Sequence, residues 1–492
     1  MCLYTLPMLR HARAGRAGSG RLIPMPTPRA AFLCGVAALL ALAGCGSGAG
    51  QTESSPAPSP ITATDPATPG SPAAVPGAQD WLTYHRTDAR TGVAIGSPAA
   101  GALSLAWTRR LDGAVYGQPL ILGDLVIAAT EGDTVYGLAR GTGQVRWHTH
   151  VGTPVPRADL PCGNIDPLGI TGTMAYDPGN GLVYAVAETT GYHHVLIGVD
   201  VATGALRVRR DIPAPDGNPR YDQQRAALTL LNGQVYVAFG GLDGDCGPYQ
   251  GSVVAIPVSG QGGIASYRVP TAREAGIWAP GGPVTGPDGT LYVSIGNGAS
   301  TRPPFDDSDS VTALSPSLHR TGLFAPTTWP QDNANDLDLG SMSPALLGNG
   351  MILSVGKRGT GYLLRASDLG GVNGQVDQAT VCTAFGGPAV NGTIAYVPCE
   401  GGGMAAVDTA GGRIKVRWRG PAAAEGSPVL GGGAVWVADW ESGTLYQLDP
   451  ANGHIRHQIS LRSPLPHFAS PSLSGGLAFV GTMGGVVAVR GV

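Results

Sequence analysis

One phrase recurs along this chain. It reads VYGQPLILGDLVIAATEGDTVYGLARGTGQVRW at 115–147 and EGSPVLGGGAVWVADWESGTLYQLDPANGHIRHQ at 425–458, with further copies between and after. Each copy holds two strand-like runs, then a glycine and an aromatic residue. Internal repetition at this period decides the architecture before any single residue is weighed. A repeated scaffold specifies a shape and leaves chemistry to a few residues on its axis.

Eight copies can be laid out, with first strands expected within 115–120, 169–175, 223–229, 277–284, 339–346, 385–390, 425–430 and 467–473. A second strand of alternating apolar residues follows each, as in GQVYVAFGG, GTLYVSIGN, GTIAYVP and GAVWVADW. Alternation carried by β-branched and aromatic residues is the antiparallel-strand signal. A third strand (TVYGLA, VLIGVD, SVVAIP, TLYQLD, GVVAVR) and, in most copies, an outer fourth (QVRWHTH, IKVRWRG) complete the unit. No segment shows sustained helical periodicity. Four short antiparallel strands repeated eight times predict an all-β, eight-bladed β-propeller over 81–492. The last copy runs out after its third strand, and an orphan strand SLAWTRR stands at 104–110 before the first copy. Lending the orphan to the last blade closes the ring and leaves no open edge.

Gly (77) and Pro (41) are abundant and only 13% of residues are charged, as many tight turns require. The net charge of −3, with no basic stripe, argues against a nucleic-acid partner. The only lysines are Lys357 and Lys415.

Near the N-terminus, the apolar run AAFLCGVAALLALAGC follows Arg29 and ends at Cys45. It resembles the lipobox of bacterial lipoprotein precursors. The resemblance implies a signal peptide over 1–44, possible initiation at Met25, and a lipidated Cys45 anchoring the protein to the extracytoplasmic face of the cell membrane. The run is too short for a confident transmembrane helix, whereas two acyl chains suffice for stable anchoring. Residues 45–80 carry almost no large apolar side chain and read as a disordered Pro/Ser/Ala-rich tether. A coil of about 35 residues spans roughly 30–35 Å.

Four cysteines remain beyond the tether: Cys162, Cys246, Cys382 and Cys399. In an exported domain an even set favours disulfides over metal ligation, and no CxxC occurs. Four cysteines allow three pairings. Cys382 and Cys399 flank the runs TAFGGPAV and GTIAYVP, where a bridge would staple a hairpin, which leaves Cys162–Cys246 to join the loops of neighbouring copies.

The blade phrase resembles the eight-bladed propellers of the pyrroloquinoline-quinone (PQQ) repeat superfamily. That superfamily holds quinoprotein alcohol dehydrogenases and also cofactor-free members, including the propeller lipoprotein of the outer-membrane barrel-assembly machine. For an active quinoprotein the resemblance implies PQQ and Ca²⁺ as cofactors. Trp278 in GIWAPGGP matches the quinone's floor, Asn297 in SIGNGAS a calcium ligand, and Asp336 or Asp338 in NANDLDLGS the catalytic base. Lys357 in VGKRGTGYLL matches the cation that contacts the cofactor, with Arg225 and His467 as further candidates around the axis. Two parts are missing. No vicinal cysteine pair exists to cover the quinone, and the turn expected to supply a calcium-binding Glu reads GDCGPYQG, where only Asp245 offers an oxygen beside Cys246.

Each candidate also has a plainer role: an aromatic plugging the axis, a turn Asn, or an Asp capping backbone amides. The acidic stretch 305–309 lacks EF-hand spacing and reads as a turn. No nucleophile elbow, HExxH or P-loop occurs. The sequence therefore points first to a noncatalytic, monomeric binding or scaffold protein of the cell envelope. It would hold an envelope protein, a peptide or a wall component at its funnel. The alternative is a PQQ-dependent dehydrogenase or a degenerate descendant of one.

Overall fold

A computed structural model describes residues 76–491. The signal segment 1–44, the lipidation site Cys45 and most of the tether lie outside the described residues. Eight sheets follow one another in chain order, five wholly from consecutive strands; they are antiparallel throughout except where Gly371–Val372 adds a short parallel edge to the outer strand of blade 4. In blade 1 these are Leu120–Leu122, Leu125–Thr130, Thr134–Ala139 and Val145–His150. Blades 2 to 7 repeat the unit, their outer strands ending at Ile212, Arg268, Ala325, Thr380, Arg419 and Ser460. Blade 8 contributes Ser472–Ser474, Leu477–Thr482 and Gly485–Arg490, and Ser104–Arg110 pairs with the last of these. The ring thus closes as the sequence predicts, with Ser104 opposite Arg490 and Arg110 opposite Gly485.

The innermost strands are shorter than expected and begin later. The segment 115–120 predicted for blade 1 is mostly an irregular approach, and strand pairing begins at Leu120. The cause is proline. Pro119, Pro283, Pro344, Pro388, Pro428 and Pro471 each directly precede an inner strand. Proline has no N–H to give a ladder, so it is confined to the entry of a strand. A second difference is a seven-residue helix, Trp329–Asn335, between blades 4 and 5, where the sequence shows no helical period. Asp336 caps it in the left-handed conformation (φ 53°).

The recurring aromatic joins one blade to the next. The indole N–H of Trp107 donates to Arg140 O, that of Trp147 to Val201 O, and that of Trp418 to Pro450 O, each at 2.9 Å. In each pair the donor stands on one blade's outer strand and the acceptor in the following blade. Gly204 lies under the Trp147 ring with φ +75°, where a Cβ would collide with the indole. Blades 2, 3 and 4 use tyrosine instead: Tyr184, Tyr236 and Tyr292 reach Val258 O, Pro316 O and Ala366 O. Buried indole and phenol groups need such partners. The repeat therefore encodes the joint as well as the blade.

Both expected disulfides form, Cys162–Cys246 and Cys382–Cys399. One further element escaped the sequence reading. Residues 80–100 run across one end of the ring and plug it. Trp81 is fully buried and donates to Leu473 O; His85 sits between Pro388 O and Ser470 Oγ at 3.1 Å each. Arg90 donates to Thr83 Oγ1, Tyr84 O, Leu228 O and Thr229 Oγ1 at 2.7–3.2 Å. This plug leaves the opposite end of the axis as the open funnel.

Candidate functional site

In blades 3 to 7 the approach to the inner strand and the hairpin between the second and third strands converge on that funnel, a cavity of about 270 Å³, to which the approach of blade 8 adds His467 and Phe468. Its floor is aromatic. Trp278 lies 6.2 Å from both Phe385 and Phe468, and those two rings are nearly parallel at 6.1 Å. Phe385 and Phe468 each stand three residues before the proline that opens an inner strand, as does Glu425 on the same wall. That spacing was the signal that could have found them. His467 packs on Trp440 at 3.8 Å.

Lys357 enters from the hairpin of blade 5. Its Nζ lies 2.5 Å from Asp336 Oδ1 and 2.9 Å from Asp338 Oδ2, and 5.8 Å from the centre of the Trp278 ring. Asn297 Nδ2 donates to the same Asp336 oxygen at 2.7 Å. Burial pushes the Asp338 carboxyl up to about 6, against the pull of Lys357. Burial also works to strip the proton from Lys357, but Asp338 and Asp336 outweigh it and raise the ammonium's pKa above its ordinary value. Lys357 is a fixed cation.

Of the sequence candidates, Trp278, Asn297, Asp338, Lys357, Asp245, Arg225 and His467 all line the funnel, while Asp336 reaches Lys357 from the helix end. Asp245 turns away from the others: its Oδ1 accepts from Tyr249 OH at 2.6 Å. In the acidic stretch, Asp306 accepts from Thr271, Ser300 and Ser308, as a turn residue does.

Beside the funnel, at the seams of blades 1 to 3, lies a group that the sequence reading did not pick out. Glu131, Asp133, Glu188, His194 and Asp222 are all at most 2% exposed. Glu131 Oε1, both Asp133 oxygens, Glu188 Oε1 and Asp222 Oδ1 have no hydrogen-bond partner. His194 Nε2 lies 3.3 Å from Glu188 Oε2. Burial raises Glu131, Asp133 and Asp222 to about 8.

The family model described as outer membrane protein assembly factor BamB matches residues 61–316 and 353–491. The chain belongs to that family. No curated protein matches it. Among solved structures, quinohemoprotein alcohol dehydrogenase from Comamonas testosteroni aligns at TM-score 0.64 and 16% identity, covering 84% of this chain and 80% of that one. A europium-containing methanol dehydrogenase gives 0.63 and 15%, covering 85% and 98%. BamB from Moraxella catarrhalis gives 0.54 and 15%, covering 79% and 97%. At these identities the likeness is one of fold. Among the described residues no helix is long and apolar enough to cross a membrane.

Proposed function

We propose that this protein is a noncatalytic binding or scaffold protein of the bacterial cell envelope, lipid-anchored through Cys45 on the extracytoplasmic face, which holds a partner at its axial funnel. The observation that carries this reading is the engagement of Lys357 by Asp336 and Asp338. Those oxygens, with Asn297, are the set that the quinoprotein resemblance assigns to a Ca²⁺ ion and a catalytic base. Here the Lys357 ammonium already occupies one oxygen of each carboxylate. Of the buried oxygens in this set, Asn297 Oδ1 and Asp338 Oδ1 stay without a partner, whereas Ca²⁺ takes six to eight oxygens. Among the described residues no group of three or more His, Cys, Asp or Glu is arranged to hold a metal. Phe385 and Phe468 share the axis with Trp278, and no vicinal cysteine pair covers it. The residues present do not fit the PQQ–Ca²⁺ pair.

Two disulfides suit an oxidising compartment outside the cytoplasm. The family's description as an assembly factor is in keeping with a scaffold. A photoreactive residue in place of Glu400, on the funnel wall, is expected to trap an envelope component in cells. The same residue in place of Arg146, exposed on an outer strand, is expected to trap none. Saturable PQQ binding in the presence of Ca²⁺, lost in Trp278→Ala and Lys357→Ala and accompanied by alcohol-dependent dye reduction, would overturn the proposal in favour of a dehydrogenase.

A further inference from the structure

The funnel holds a second cation, Arg225, and unlike Lys357 it forms no salt bridge among the described residues. Arg225 stands on the approach to blade 3, half-buried between the funnel and a small chamber beneath it. Its guanidinium carbon lies 4.9 Å over the Phe468 ring. Every other ion pair of the wall is closed: Lys357 with Asp336 and Asp338, and, just behind, Arg358 with Asp332. Arg225 forms no salt bridge and no side-chain hydrogen bond among the described residues. The groups that face it are Tyr116, Asp243, Glu131 and His467. Glu131 is buried, and burial raises its carboxyl to about 8, which weakens the charge that it offers Arg225. Asp243 is exposed on the funnel wall, and burial together with Arg225 lowers the pKa of His467. A partly desolvated guanidinium with no direct ion pair is left with unused donors, and its planar fork is shaped for a carboxylate.

We propose that the funnel takes a monovalent carboxylate carried on an aromatic or apolar body, the carboxylate bound by Arg225 and the body packed on Phe468 and the Trp440–His467 pair. This rests on the binding-protein reading above and gives that site its ligand class. The wall also carries Asp243, Asp245, Glu400 and Glu425. That acidic surround disfavours dianions such as phosphate and favours a single carboxylate. A cavity of about 270 Å³ suits one side-chain-sized group.

The test is a titration of the full chain with 3-phenylpropionate and with its isosteric amide, 3-phenylpropanamide, followed by the fluorescence of Trp278 and Trp440. The carboxylate should bind at least about tenfold more tightly than the amide, the discrimination a charge-assisted hydrogen bond gives. Arg225→Gln should abolish the difference and Arg225→Lys should keep part of it. Asp243→Asn, which leaves the floor intact, should tighten the carboxylate. A peptide ending in Phe, with a free or an amidated terminus, distinguishes a chain end from a small free acid as the source. Equal affinity for acid and amide, or an Arg225→Gln protein that still discriminates, would overturn the proposal. If that happens while the cross-link at position 400 persists, the ligand class is wrong and the binding reading stands. Loss of the cross-link together with PQQ binding means that the reading itself has failed.

Discussion

Lys357 and Asp338 form an ion pair of 2.9 Å on the wall of the funnel, the carboxylate 4% exposed and the ammonium 19%. Burial opposes the charge on both partners, and each offsets that cost for the other.

Removing the ammonium exposes the cost. Lys357→Gln leaves Asp338 buried without a counter-charge and drives its carboxyl still further above about 6. At pH 8 Asp338 must then either stay ionised without a partner or take up a proton, and up to about 3 kcal/mol of stability should be lost. At pH 5 Asp338 is protonated with or without Lys357, so the loss should be smaller. Denaturant unfolding of both proteins at the two pH values checks this; an equal loss at pH 5 and pH 8 contradicts it.

The plug makes a separate prediction. Arg90 is 3% exposed and ties Thr83 and Tyr84 of the plug to Leu228 and Thr229 of blade 3. Arg90→Met keeps the bulk but strands those acceptors, at a cost of about 3 kcal/mol. Limited proteolysis should then cut within 81–95 before any blade is attacked. Uniform cleavage, or resistance equal to the parent protein, would show that the plug does not depend on this side chain.

Much of the fold was legible because a blade is local. Period-2 alternation, turn glycines and the orphan strand at 104–110 sufficed to count eight blades and close the ring. Local signals also sufficed for the cysteine pairing, since Cys382 and Cys399 flank one hairpin. The plug was not legible: Trp81, Tyr84, His85 and Arg90 show no strand period, and their partners lie up to 392 residues away. Nor was the buried acid group, because Glu131, Asp133, Glu188, His194 and Asp222 come from three blades and meet only in the folded ring. In the funnel the resemblance drew attention to Trp278, Asn297, Asp338 and Lys357. Phe385 and Phe468 match none of the positions that resemblance names, and only their place three residues before an inner-strand proline marks them in the sequence.

The two disulfides should differ in weight. Cys162–Cys246 closes a separation of 84 residues and Cys382–Cys399 one of 17. Chain entropy alone gives about 4.5 kcal/mol for the longer loop and about 3 for the shorter. The double Cys162→Ser/Cys246→Ser variant should therefore melt below the Cys382→Ser/Cys399→Ser variant in scanning calorimetry. The reverse order would show that local packing at the hairpin, and not loop closure, sets their contribution.

The acid group at the seams of blades 1 to 3 sets the pH dependence. Burial raises Glu131, Asp133 and Asp222 from ordinary carboxyl values to about 8; Glu131 adds to the shift of Asp133, Asp216 to that of Asp222, and Glu188 to all three. In the unfolded chain these groups release their protons near pH 4. Between about pH 4 and 8 the folded state thus binds more protons than the unfolded one, so stability falls as pH rises through that window. The stabilisation is complete below about pH 4 and lost once pH passes about 8. The melting temperature should accordingly decline steadily from pH 5 to pH 9, against the common trend of proteins whose carboxylates are ion-paired. The double variant Glu131→Gln/Asp133→Asn keeps the shape and removes two titrations, so its melting temperature should depend less steeply on pH and exceed the parent's at pH 9. A parent profile that is flat or rising over this range would mean that these carboxyls are ionised in the folded protein and hydrated or paired in a way that this geometry does not provide.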